Sequence, residues 1–248
     1  MAARLLPGAP VSEAVFADLA PRIKTLVDSG RTPGLATILV GNESASAGYV
    51  RMKQEKAIEL GFSSPHAHLD DDATQAELLD TIARFNADPT VDAMLVQHPT
   101  PPPIDYEAAL LAHYEINVAG RNVCILGRGT TLGRPLALLL SQKRPTANAA
   151  VTVVHTGVDD WPAYTRRADI VVAAAGVPGI LQPEHLTPGV VVIGGGVRYE
   201  GRKLLPDVDE RCEEVAGAIT PRLGGVGPTT IAMLFRNAVE AAERSGVR

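Results

Sequence analysis

Short apolar runs rich in β-branched residues alternate with longer helical runs along the whole chain, and that alternation leaves few folds open. "LATILVG" (Leu35 to Gly41) and "AMLVQ" (Ala93 to Gln97) read as buried strands. Between and around them lie helical patterns: Val11 to Ser29, Ala45 to Phe62 closed by Gly61, and "TQAELLDTIARFNAD" (Thr74 to Asp88). The prolines of "HPTPPP" stop the second strand. A second series begins at "NVCILG" (Asn122 to Gly127), followed by a helix in "LGRPLALLLSQK" and a strand in "AVTVVHT". A helix in "DDWPAYTRRA", a strand in "DIVVAAAG", a turn in "PEHL" and a strand in "GVVVIGG" come next, and "PTTIAMLFRNAVEAAERSG" makes a long closing helix. Strands separated by helices form parallel sheets covered by those helices. The expected fold class is α/β with two lobes, residues 1–112 and 113–248, the second Rossmann-like, and with a ligand cleft between them. The closing helix over 228–245 is expected to pack back on the first lobe.

The stretch "CILGRGTTLGRP" (Cys124 to Pro135) lies where a strand gives way to a helix. Gly127, Arg128 and Gly129 supply a G-x-G, but Gly133 arrives one residue later than the G-x-G-x-x-G spacing requires. Such a loop brings backbone N–H groups and a helix start close to a pyrophosphate. Two readings stand: a dinucleotide site with an enlarged loop, or a packing turn. An NAD site usually carries an acid after the next strand, and here that strand ends in His155 and Thr156. Arg128 could meet a 2′-phosphate with its guanidinium, which favours NADP, or it is a solvated loop charge.

In "GYVRMKQEK", Tyr49 and Lys53 are four apart on one helix face, with Lys56 a turn further on. Gln97, at a strand's carboxyl end in the same lobe, could reach such a lysine. A buried lysine with a lowered pKa works as an acid or base. The alternative is ordinary amphipathic decoration.

Bulk properties exclude several classes. The net charge of -5, with no basic stripe, argues against nucleic-acid and polybasic membrane partners. No run approaches the roughly 18 apolar residues that cross a bilayer, and the proline-interrupted N-terminus gives no sign of a signal peptide. Cys124 and Cys212 lack metal-ligand spacing, so no metal is expected and both are taken as reduced thiols in a cytoplasmic protein.

Taken together, these stretches resemble the bifunctional methylenetetrahydrofolate dehydrogenase/cyclohydrolase family. "SASAGYVRMKQEKAIELG" is similar to the family's lysine helix, "LVQHPTP" to its V-Q-L-P-L-P strand end, and "GRGTTLGRP" to its G-R-S-x-x-V-G-x-P loop, which has the same late glycine. "AVTVVHTG", "ADIVVAAAGVP" and "ITPRLGGVGPTTIAMLFRNAVEAAER" follow in family order. The resemblance implies an N-terminal folate lobe, a C-terminal NADP lobe and a homodimer acting on tetrahydrofolate derivatives. It implies that Lys53 is the acid/base lysine, that Gln97 tunes it, and that Tyr49 packs on the folate. Arg128 and Thr156 match positions holding the 2′-phosphate, with Gly127, Gly129 and Gly133 in the phosphate loop. Val197 matches a main-chain contact to the cofactor, and Gly227 a backbone closing on the pterin. His98 and Leu223 stand at positions close to the substrate.

Several departures accompany the resemblance. The family's K-D-V-D-G segment, with its pterin-gripping aspartate, and its P-C-T-P segment are absent, leaving the chain roughly 35 to 40 residues short at a junction near Leu110–Leu111. Either a mobile segment is left out, which would show as a chain break between Leu110 and Ala112, or the segment is lost. The family-like flanks favour the first. Gly194 replaces an aspartate, Gly129 a serine, Arg222 and Leu223 a V-P pair, and His98 an apolar residue. The expected function is therefore the NADP-dependent dehydrogenase with cyclohydrolase activity. The alternatives are a divergent member with altered substrate, or a folate- or nucleotide-binding protein without catalysis.

Overall fold

In a computed structural model the chain divides into two units, Met1–Ser12 with Asp105–Thr230 and Glu13–Ile104 with Ile231–Arg248. The residues described are 2–41, 44–97, 116–145, 147–200 and 203–245. His98 and the junction at Leu110 to Ala112 lie outside them.

The first unit is built on a parallel sheet that is apolar on both faces. Its strands are β1 (Arg4–Leu5), β5 (Asn122–Leu126), β6 (Ala150–Val154), β7 (Ile170–Ala173), β8 (Val191–Gly194) and β11 (Ala218–Ile219), in the order β1-β11-β8-β7-β5-β6. Side chains alternate across a strand, so Val123, Ile125, Ile170 and Val172 enter one core with Leu132, Leu136 and Leu140. Cys124, Leu126, Val171 and Ala173 enter the opposite core with Leu181, Leu186 and Cys212. This two-sided burial explains the near-continuous apolar runs of the sequence. An antiparallel hairpin, β9 (Val197–Glu200) with β10 (Lys203–Pro206), follows β8.

The second unit holds a parallel sheet of β3 (His66–Leu69), β2 (Leu35–Val40) and β4 (Ala93–Gln97), with β2 central. Its helices include α2 (Ser44–Glu59) and α3 (Gln75–Ala87). A reciprocal Thr74–Glu77 capping box starts α3. Gly61, at φ 79°, ends α2: its N–H donates to Ile58 O, and that of Phe62 to Ala57 O. These two bonds satisfy helix-end carbonyls, and the left-handed turn they need favours glycine.

Two long helices belong to both units, α1 (Gly8–Asp28) and the closing helix, numbered α6 (Val226–Ser245) after α4 (Gly133–Leu140) and α5 (Pro162–Thr165). The closing helix from Ile231 onward groups with the N-terminal lobe's residues, and Phe235 packs edge-on against Phe62 at 5.2 Å. Helix α1 starts at Gly8, ahead of the expected Val11, because Pro10 sits in the first turn, where its missing N–H costs nothing. The helix expected over "DDWPAYTRRA" is limited to four residues, α5.

Candidate functional site

Within the second unit, α2 and β4 bring Lys53 and Gln97 together. Lys53 is buried, at 9% exposure, and its Nζ donates to Gln97 Oε1 at 2.6 Å. Gln97 is the last residue of β4, paired with Leu39 of central β2, so the sheet fixes where its amide stands. Burial holds the Lys53 ammonium down from 10.5 to about 8. A lysine poised there exchanges a proton near neutrality. Tyr49, one turn earlier on α2, is 43% exposed. Lys56 is occupied differently: its Nζ lies 2.6 Å from Glu59 and 5.0 Å from the centroid of the Phe16 ring.

Within the first unit, the glycine loop joins β5 to α4. Gly127 has φ 131°, and a Cβ there would fall 2.0 Å from Ala174 O. A Cβ on Gly133 would fall 2.3 Å from Gly127 O. Only glycine lets these backbones approach, which is the physical reason for the first and last glycines of the motif. Gly129 differs: the atom nearest to its would-be Cβ is Thr131 Oγ1 at 3.9 Å, so a side chain fits. No side chain caps α4 at Leu132; in its first turn Arg134 N–H donates to the loop carbonyl of Gly129 at 3.0 Å and Pro135 brings no N–H. The close-packed backbone and the uncapped helix start together fit a dinucleotide phosphate. Arg128 is exposed in the loop, and Thr156 is exposed in the turn that follows β6, the strand paired with β5. Val197 opens β9 and is 45% exposed.

Leu223 is 69% exposed, in the loop ahead of α6, and Gly227 is exposed in that helix's first turn. Their neighbour Arg222 donates to Glu210 Oε1 at 2.8 Å and to Leu204 O at 3.2 Å, tying this loop to β10. Gly194, at the end of β8, donates its N–H to Thr220 Oγ1 at 2.8 Å. Cys124 and Cys212 are buried, and burial pushes both thiols up to about 12, so neither is a nucleophile. Among the described residues no three His, Cys, Asp or Glu side chains group as metal ligands.

Two family models match the chain in tandem. The tetrahydrofolate dehydrogenase/cyclohydrolase catalytic domain matches residues 6–113, and the NAD(P)-binding domain of the same family matches residues 103–246. The chain belongs to the tetrahydrofolate dehydrogenase/cyclohydrolase family. Bifunctional protein FolD 1 of Salinispora tropica is 55% identical, covering 98% of this chain and 92% of that protein. Their alignment runs over 281 positions, more than the 248 residues of this chain, so that relative carries residues this family member lacks. The bifunctional FolD of Campylobacter jejuni superposes with a TM-score of 0.90 at 33% identity, over 98% of this chain and all of that one. The Trypanosoma brucei dehydrogenase-cyclohydrolase, solved with NADP cofactor and an inhibitor, gives 0.86 at 30% identity over 99% of each chain. The α/β class, the two-domain organisation and the family resemblance read from the sequence agree with these matches.

One residue that sequence reasoning passed over belongs to the first unit's site region. Asp207 directly follows β10, is wholly buried, and accepts backbone N–H groups from the loop after β7.

Proposed function

We propose that this family member oxidises 5,10-methylenetetrahydrofolate to the 5,10-methenyl cation with NADP, and hydrolyses that cation to 10-formyltetrahydrofolate. The observation that carries the reading is the buried Lys53 ammonium, 2.6 Å from Gln97 Oε1 and held near a pKa of about 8. NADP, when bound, supplies the acceptor for the hydride leaving the methylene carbon. Gly127, Gly129 and Gly133 would admit its pyrophosphate, Arg128 and Thr156 its 2′-phosphate, and Val197 its main-chain contact. Hydride transfer needs two planar rings held face to face, so positioning dominates that step.

Hydrolysis is where this chain's own side chains act. Lys53, as the neutral amine, takes a proton from the water that attacks the methenyl carbon. The ring nitrogen of the folate accepts a proton as its bond to that carbon breaks, and one proton is released overall. Gln97 accepts a hydrogen bond from Lys53 and orients its nitrogen, while Tyr49 packs its ring on the folate. Leu223, Gly227 and His98 are proposed as substrate-binding residues. The similarity of the whole chain to bifunctional FolD proteins supports both steps.

The proposal extends to a homodimer in the cytoplasm with no nucleic-acid or membrane partner. The net charge of -5 speaks against a nucleic-acid partner; among the described residues no helix is long and apolar enough to cross a membrane. The test is spectrophotometric. NADPH formation that depends on methylenetetrahydrofolate and decay of methenyl absorbance establish the two activities; folate binding without either contradicts them.

A further inference from the structure

The sheet of the first unit reverses its winding at β5, which has β6 on one side and β7 on the other. In open α/β sheets the ligand crevice lies outside the carboxyl ends of the strands at such a point. Two loops meet there, Gly127–Leu132 after β5 and Ala174–Val177 after β7. They touch through the backbone: Ala174 N–H donates to Leu126 O, and the missing Cβ of Gly127 is what admits the Ala174 carbonyl.

The β7 loop is held from its other side by a single carboxylate. Asp207 Oδ2 accepts the N–H of Ala175 at 2.6 Å and of Gly176 at 2.8 Å. The same side chain lies against the glycine turn after β8: a Cβ on Gly196 would sit 1.9 Å from Oδ2. Pairing of Pro206 with Val197 in the β9–β10 hairpin puts Asp207 opposite Gly196, and Asp207 N–H donates to Gly196 O at 3.0 Å. Burying a carboxyl is costly, and burial raises the Asp207 pKa against the opposing pull of the backbone N–H groups. Oδ1 has no hydrogen-bond partner at all. An apolar side chain of the same size would take this acceptor away from the Ala175 and Gly176 N–H groups, so the carboxylate's use is to hold the loop rather than to fill space.

We infer that Asp207 is a positioning residue of the cofactor site, clamping the Ala174–Val177 loop against the Gly127 loop and fixing the Gly196–Val197 turn beside it. This rests on the NADP reading of the glycine loop given above. Asp207 touches no reacting atom; it holds the backbone that would meet the cofactor.

Three measurements on the full-length chain separate a positioning role from a purely structural one. In the cofactor-free protein, amide hydrogen exchange at Ala175 and Gly176 accelerates in Asp207→Ala and stays near wild type in Asp207→Asn, whose amide oxygen still accepts both bonds. By calorimetry, Asp207→Ala weakens NADP binding about tenfold, the scale of one lost charge-assisted hydrogen bond, and Asp207→Asn stays within about twofold. Hydrolysis of methenyltetrahydrofolate, which needs no NADP, is unchanged in both. Wild-type NADP affinity in Asp207→Ala, or equal losses of hydrolysis and NADP binding, overturns the inference. If Asp207→Ala does not fold, Gly196→Ala displaces the carboxylate instead. It must then weaken NADP binding and spare hydrolysis, and failure to do so is equally fatal. A wild-type chain that binds no NADP refutes the functional reading itself, while the exchange measurement still judges the clamp.

Discussion

Lys53 Nζ on α2 lies 2.6 Å from Gln97 Oε1 at the carboxyl end of β4, with the lysine buried and its ammonium destabilised. Its proton therefore comes off near pH 8 rather than 10.5. Methenyl hydrolysis should accordingly rise with pH and level off above about 8, following the neutral amine. A rate profile that is flat from pH 6.5 to 9.5 would remove Lys53 as the base.

The same shift has a consequence for stability. Between pH 8 and 10.5 the unfolded lysine holds its proton and the folded one does not, so unfolding takes up a proton and stability rises with pH. The contribution is complete above 10.5 and is lost as pH falls through about 8. The shift corresponds to about 3 kcal/mol. Urea unfolding of wild type and Lys53→Met at pH 7.5 and 10 should show wild type gaining on the variant at the higher pH. Parallel curves would mean the lysine is not strained by burial.

Arg128 is predicted to read the 2′-phosphate. Arg128→Ala should raise the NADP KM by about ten- to a hundredfold, the scale of a charge-assisted pair, and leave weak NAD use nearly unchanged. Equal losses with both cofactors would assign Arg128 to the loop's shape instead.

The glycines of the loop should respond unequally. Gly127→Ala places a Cβ 2.0 Å from Ala174 O at φ 131° and should destabilise the fold by about 2 to 4 kcal/mol. A Cβ at Gly129 meets nothing closer than 3.9 Å, so Gly129→Ser should change stability by less than about 0.5 kcal/mol. Thermal melts of the two variants decide it.

What could be read from the sequence was the part encoded locally. "NVCILG" announces β5 because a doubly buried strand must be apolar throughout, and "YVRMK" places Tyr49 and Lys53 one turn apart by helix geometry alone. Strands that exist only through distant pairing were invisible. β1 is two residues long and is held by Ala218 and Ile219, more than two hundred positions away. "HAHL" becomes β3 because Thr37 to Val40 offer it a parallel edge. Asp207 was missed for the same reason: in "LPDVDE" it reads as a surface acid, and only the hairpin pairing of Pro206 with Val197 turns it inward against Gly196. The late Gly133 has a local physical reason, since a Cβ there would block its close approach to Gly127.

The most direct test follows both reactions in one cuvette, with methylenetetrahydrofolate and NADP, for wild type and Lys53→Met. The account predicts that wild type forms NADPH without accumulating methenyl absorbance. In Lys53→Met the methenyl species builds up, because its hydrolysis falls by about a hundredfold or more, the usual scale of acid/base catalysis. Hydrolysis by Lys53→Met at the wild-type rate, or folate binding by wild type with no NADPH formed, would contradict it.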